Sequence, residues 1–207
     1  MGLHKGYPFM TKVVPFSNNE EVSGKRDSIL RAALQLFTER GFHGTAMPLV
    51  ANLAGVGAGT IYRYFESKEA LVNTLYRDWK TFQITSILKD VPATTPLREQ
   101  FQIYWNRLVE FACEFPLAFG FLELHFHAPY LDADSRAIEE RGHSALIGYF
   151  QNCLRQQIVK ESPPEMLGAI VMGAYVGLMK ASRAGCFELS KEIVDKAEAC
   201  CWEAIRR

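Results

Sequence analysis

From Gly24 onward, apolar side chains recur at intervals of three and four, and no stretch alternates at intervals of two. Helices are therefore the element expected almost throughout. Ile29, Ala33, Leu36 and Phe37 fall at i, i+4, i+7 and i+8, one face of a helix that Gly41 is placed to end. Two short helices are expected between Thr45 and Phe65. A longer one opens at Ser67 as N-cap, with Lys68 and Glu69 in its first turn, and runs through Leu71, Leu75, Trp79 and Phe82 to about Leu88. Pro92 to Pro96 reads as a linker. Leu97, Phe101, Tyr104, Leu108, Phe111 and Phe115 then follow at spacings of four and three. Trp105, Val109 and Ala112 lay a second stripe beside them, so that helix is surrounded by others. Pro116 opens a short helix ending near His127, with Pro129 after it. Asp132 and Asp134 open a long one through Ile158. Pro163-Pro164 separates that from residues 165–184, which Gly185 stops, and Ser190 caps a last helix to Arg207. The fold class is all-α. Residues 1–22 hold Gly2, Gly6, Pro8, Pro15 and Ser17-Asn18-Asn19 without periodicity and read as a flexible arm.

The bulk properties narrow the function classes. Net charge is zero over 207 residues, but it is unevenly spread. Residues 1–80 carry ten Lys+Arg against seven Asp+Glu, and residues 81–207 carry thirteen against sixteen. The sign suits an N-terminal part that faces a polyanion. The five cysteines, at 113, 153, 186, 200 and 201, include no C-x-x-C pair, so reduced thiols are expected rather than a zinc site or a disulfide framework. The longest apolar run, Met166 to Met179, is about four residues short of the roughly 18 needed to span a bilayer. No signal-peptide pattern opens the chain, so a soluble cytoplasmic protein is expected. The sequence shows no Ser/His/Asp elbow, phosphate loop or metal-ligand cluster, so neither catalysis nor a cofactor or metal is expected.

The stretch from Thr45 to Lys68 carries the most chemistry. Ala51 lies four residues before Gly55, and Gly55 six before Ile61. A helix-turn-helix needs a small residue where its helices cross and a residue tolerant of positive φ in the turn, and these two supply them. Val50, Val56, Ile61 and Tyr64 fall on inward positions. The second helix is then Ala58–Tyr64, with its N-terminal residues presented to base edges in a major groove.

On those residues the chain resembles the DNA-binding domain of the TetR (tetracycline repressor) family of bacterial regulators. Ile29 to Phe37 is similar to that family's first helix, and Gly41-Phe42 with Thr45 to the entry of its second. Ala54-Gly55-Val56, Gly59-Thr60-Ile61-Tyr62-Arg63-Tyr64-Phe65 and Ser67-Lys68-Glu69 resemble its most recognisable block. The resemblance implies that Ala58, Gly59, Thr60 and Tyr62 face the operator, that Tyr64 and Lys68 contact phosphates, and that Thr45 lies near the DNA backbone. The chemistry agrees: a lysine at a helix N-terminus suits a phosphate, and Tyr62 and the Thr60 methyl can touch thymine methyls. Arg63 either reads a guanine or holds a phosphate. Tyr64 is either a phosphate donor or a core residue. Met47-Pro48-Leu49 departs from the polar start that relatives give the second helix, which leaves that helix few base contacts.

The resemblance also implies a homodimer, a double-stranded DNA operator of pseudo-palindromic sequence, and release by a small effector. Residues 23–66 are expected to form the DNA-binding domain and residues 67–207 a helical effector-binding and dimerisation domain. Gly168, Gly173, Ala174 and Gly177, with Ile193, Ala197, Cys200, Cys201, Ala204 and Ile205, are candidates for a dimer seam through helices about 165–184 and 190–207. The aromatic stretch from Phe101 to Tyr149 either packs solid or leaves an apolar pocket. Tyr104, Trp105, Leu108, Phe121, His125, Tyr149 and Met172 are its candidate lining, with Glu123, His127 and Arg107 as further polar anchors.

Overall fold

The computed structural model describes Pro15 and residues 24–207, so the expected arm otherwise lies outside the described residues. In chain order they form α1 (Lys25–Arg40), α2 (Met47–Leu53), α3 (Ala58–Tyr64), α4 (Lys68–Leu88), α5 (Leu97–Glu114), α6 (Pro116–His125), α7 (Ala133–Arg155), α8 (Pro164–Arg183) and α9 (Lys191–Ile205). Among them the extended backbone pairs only as an isolated bridge, Val159 with Arg206.

Local chemistry sets most of the boundaries. The Ser67 hydroxyl accepts from the Ala70 N–H at 3.0 Å, and the Ser190 hydroxyl from the Ile193 N–H at 3.3 Å, each satisfying a donor that a helix start leaves free. Pro116 and Pro164 occupy first-turn positions, where a missing N–H costs nothing. At the other end, α7 stops at Arg155, three residues before the expected Ile158. Gln157 there takes φ of 56°, and the Ile158 N–H reaches back to the Cys153 carbonyl at 3.0 Å. That six-to-one bond is the ending glycine usually provides, and a glutamine at the position gives no warning of it.

The helices cluster into two compact units. Residues 24–85 with 115–139 form one, and residues 86–114 with 140–207 the other. In the first, α1 packs against α6 and α2, and Ile29, Leu30, Ala33 and Phe37 are fully buried. Buried Asn73 of α4 is satisfied on all sides. Its amide donates to the carbonyls of Glu69 and Tyr130, both at 2.9 Å, and its oxygen accepts from the Asp132 N–H and the Ser135 hydroxyl, both at 2.8 Å. Arg77 adds an ion pair to Asp132 at 2.6 Å. The segment after α6 is thereby fastened to α4.

In the second unit α5 contacts α8 and α9. Trp105, Phe111 and Tyr175 fill its core, and the Tyr175 hydroxyl donates to the Leu108 carbonyl at 3.0 Å. Arg98 grips the buried Glu198 carboxylate with two nitrogens, at 2.5 and 2.9 Å, and lies 5.0 Å from the Trp202 ring. A planar guanidinium suits that double contact as a lysine could not.

His125 makes the fold sensitive to acid. It is fully buried among Phe37, Phe121 and Tyr130, and Tyr130 Oη lies 2.6 Å from its Nδ1. Burial pushes its pKa down to about 4, with the nearby Phe37 carbonyl opposing weakly. The folded value lies below the roughly 6.5 of an unfolded chain, so the unfolded state takes up the proton first. Stability that is complete above about pH 6.5 should therefore fall by about 3 kcal/mol as pH drops toward 4. Urea midpoints between about pH 7.5 and 4.5 would show the slope, and His125→Phe should flatten it. An unaltered slope in that variant would assign the acid sensitivity to other groups.

Candidate nucleic-acid interface

Between α2 and α3 the chain turns on the two residues the spacing singled out. Ala51 is 2% exposed, and its carbonyl accepts from the Val56 N–H at 2.9 Å, while the Gly55 N–H reaches the Asn52 carbonyl at 3.0 Å. Gly55 has φ of 66°, the left-handed conformation this pair of bonds requires. A side chain larger than alanine at 51 would push the two helices apart. Val50 and Ile61 are fully buried and hold them together; Val56 is half-buried.

This packing leaves one side of α3 open. Ala58, Gly59, Tyr62, Arg63 and Tyr64 are exposed and Thr60 is half-buried. Tyr62 and Tyr64 are 52% and 46% exposed, high for aromatic rings on a seven-residue helix. The inward position expected for Tyr64 is corrected by this. Phe65, the C-cap, is the aromatic that turns inward instead. Gly59 needs no special backbone, and a Cβ there would meet nothing within 4 Å. Nothing in the described structure asks for a glycine at 59.

Two candidate contacts have internal duties. Thr45 is 1% exposed, and its hydroxyl faces the Gly41 carbonyl at 2.8 Å and the Leu36 carbonyl at 3.1 Å, while its N–H reaches the Phe42 carbonyl at 3.3 Å. It ties the end of α1 to the start of α2 and keeps no donor for a DNA backbone. The Lys68 ammonium donates to the Phe42 carbonyl at 2.9 Å and lies 4.2 Å from the Phe42 ring centre. An ammonium has three donors, so two stay available after that bond. The same ring is also covered by Tyr130, stacked at 4.0 Å and 17°. Nothing in the periodicity links Phe42 to Tyr130, because the pair is made by tertiary packing.

The seven candidate pocket residues are divided between the units. Phe121 and His125 are fully buried in the first, with ring centres 4.4 Å apart. Tyr104, Trp105, Leu108, Tyr149 and Met172 belong to the second. There Tyr104 and Tyr149 meet edge-on at 5.8 Å, and the Tyr149 hydroxyl donates to the Leu97 carbonyl at 2.9 Å. Trp105 and Leu108 are buried and Met172 is half-buried. Of the further anchors, Arg107 donates to the carbonyls of Ile87 and Lys89, at 2.8 and 2.6 Å, and so caps the end of α4. His127 Nδ1 lies 3.5 Å from a Glu139 carboxylate oxygen. No group of three metal-ligating side chains occurs among the described residues. No described helix is long and apolar enough to cross a membrane.

The last two helices carry an uncovered apolar face. On α9, Val194, Glu198, Cys201, Trp202 and Ile205 turn inward, which leaves Ile193, Ala197, Cys200 and Ala204 on the outer side. Beside it, α8 presents Met166, Ile170, Gly173 and Gly177. Between the two stripes runs a groove of about 500 Å³, floored by Trp105 and lined by Ala174, Gly177, Ala181, Ala197 and Ala204. The small residues divide by role. A Cβ on Gly168 would come within 3.1 Å of Leu146, so that glycine serves packing inside the protomer, whereas Gly173 and Gly177 have nothing within 4 Å.

A glycine-turned pair of short helices with the second one open to solvent defines a helix-turn-helix protein. Comparison with known proteins gives the family. Residues 29–75 match the family described as bacterial regulatory proteins, tetR family, and residues 80–207 the tetracyclin repressor-like C-terminal domain. The chain belongs to the TetR family of helix-turn-helix transcriptional regulators. The HTH-type transcriptional regulator RutR of Escherichia coli is 48% identical over 56 residues, which is 27% of this chain and 26% of RutR. The match thus spans about a quarter of that relative. An uncharacterised HTH-type regulator of Haemophilus influenzae is 24% identical over 182 residues, 87% of this chain and 95% of its own. Among solved structures, a TetR family regulator from Marinobacter aquaeolei VT8 superposes with a TM-score of 0.78 at 24% identity, covering 88% of this chain and 95% of its own. The ketosteroid transcriptional regulator KstR2 of Mycobacterium tuberculosis has the same fold, with a TM-score of 0.75 at 16% identity over 95% of this chain and all of its own.

Proposed function

We propose that the chain is a homodimeric, cytoplasmic transcriptional repressor that leaves a pseudo-palindromic operator when a small, mainly apolar effector binds. Its work is recognition and not catalysis. Residues 23–66 read DNA, and residues 67–207 bind the effector and the second copy. The observation that carries this reading is the exposed face of α3, where two tyrosines stand in water beside an arginine and a glycine the fold does not need. Ala58, Gly59 and Thr60 admit close approach to the major groove, Tyr62 touches base edges, and Arg63, Tyr64 and Lys68 hold bases or phosphates. The α8 and α9 stripes pair with those of a second copy, which places the two α3 helices about one DNA turn apart, roughly 34–36 Å. The effector releases DNA by preferring a dimer whose α3 helices are wrongly spaced, and its differential affinity sets how far it shifts the equilibrium. Tyr104, Trp105, Leu108, Tyr149 and Met172, or Phe121 with His125, are the side chains proposed to meet it.

Selection of bound fragments from genomic DNA tests the reading, followed by Tyr62→Ala on the recovered site. The variant should lose about 10- to 100-fold in specific affinity, the worth of one or two good base contacts, with its melting temperature unchanged. Wild-type operator affinity in that variant would overturn the assignment of α3.

A further inference from the structure

Each end of the helix-turn-helix carries an aromatic ring with a cation over it. Phe42, before α2, has the Lys68 ammonium at 4.2 Å; Phe65, after α3, has the Arg26 guanidinium at 5.8 Å. We infer that Arg26, in the first turn of α1 and outside the motif, is a second phosphate-gripping cation that Phe65 holds beside the end of α3. The inference rests on the DNA-binding reading above and extends its contact set.

Arg26 serves the fold in part, as the larger of the two cations that offset the burial of Asp78. It is exposed, and among the described residues no carboxylate lies within ion-pair distance of it. Asp78, the acidic group whose titration it influences, is shared with Arg77, and burial raises the pKa of Asp78 against both. A positive charge in a helix's first turn opposes the helix dipole, so Arg26 weakens α1 where Asp27 beside it strengthens it. The contact with Phe65 biases a side chain that would otherwise sample many rotamers, and a guanidinium facing a ring keeps N–H groups free for bidentate contact with phosphate oxygens. Phe65 is the C-cap of the helix whose outer face bears Tyr62, Arg63 and Tyr64, so the exposed guanidinium lies 5.8 Å from the ring that ends that helix.

The test measures the full-length protein on its selected operator and on unrelated duplex across a salt series. Each phosphate contact contributes about 0.9 to the slope of log K against log salt. Arg26→Gln should lower the slope by about one on both DNAs and weaken both alike, with an unchanged melting temperature. Arg26→Lys keeps the charge and should restore the slope while leaving affinity a few-fold below wild type, since lysine lacks the planar stack. Combining Arg26→Gln with Lys68→Ala should remove about two units. A wild-type slope in Arg26→Gln overturns the inference and leaves the repressor reading standing. A wild-type protein with no salt-dependent DNA binding overturns both. If Arg26→Gln melts early, Arg26→Lys decides: a slope one unit low despite the retained charge also overturns the inference, because the loss is then structural.

Discussion

Gly177→Arg should leave a folded protomer that no longer dimerises and binds its operator about a hundred- to ten-thousandfold more weakly. The protomer has no objection to the change. Gly177 is exposed on α8, a Cβ there meets nothing within 4 Å, and arginine ranks near alanine, which is a better helix former than glycine by roughly 0.8–1 kcal/mol. In a dimer seam built from the Met166, Ile170, Gly173, Gly177 stripe the same side chain has nowhere to go. It would bring two guanidinium groups toward each other, two-fold related and stripped of water. The affinity loss follows from avidity: a monomer gives up the second half-site, which linkage presents at high effective concentration. Light scattering after gel filtration would report the mass, and operator titration the affinity. A dimer that survives Gly177→Arg places the seam on another face. Gly168→Arg is the contrasting case, since Leu146 stands 3.1 Å from the new Cβ and the protomer itself should suffer.

The second large effect belongs to Asn73. Asn73→Ala should cost about 2–3 kcal/mol in unfolding free energy, because it strands the buried Ser135 hydroxyl and takes a partner from the part-buried Asp132 N–H and Tyr130 carbonyl. The whole loss lies on tertiary links, since α4 keeps its own helical ladder. Asn73→Asp separates the two halves of the side chain. An aspartate still accepts from Asp132 and Ser135 but cannot donate to Glu69 or Tyr130, so its loss should fall between wild type and alanine. Urea unfolding at constant pH measures all three. An alanine variant within about half a kcal/mol of wild type would show that water replaces the amide and that the segment after α6 is held by other means.

These two sites differ in how well they could be read from the chain. The turn at Gly55, the crossing at Ala51, the span Ala58–Tyr64 and the caps at Ser67 and Ser190 were all legible, because each depends on a residue with one local use. Tyr64 was only half legible: three residues after buried Ile61 it fits either an inward or an outward reading, and Phe65 at the C-cap takes the buried place instead. The stop at Gln157 was hidden for a related reason, since a left-handed glutamine leaves no compositional mark. Asn73, Arg107 and Arg98 looked like ordinary polar residues on helices. What they do depends on carbonyls and carboxylates brought to them from 18 to 100 residues away, and no periodicity encodes that. Thr45 misled in the opposite direction. The resemblance marked it as a DNA neighbour, whereas the packing commits its hydroxyl to the joint between α1 and α2.

Phe42 has one consequence for how such a molecule can be rewired. With Tyr130 and the Lys68 ammonium both packed on the Phe42 ring, a single aromatic plate joins the loop after α6 to a charge beside α3. A displacement of that loop would have only this one ring to cross before reaching the ammonium. A leucine at 42 would remove the ring from both contacts while leaving the Lys68 hydrogen bond to the carbonyl of residue 42 in place.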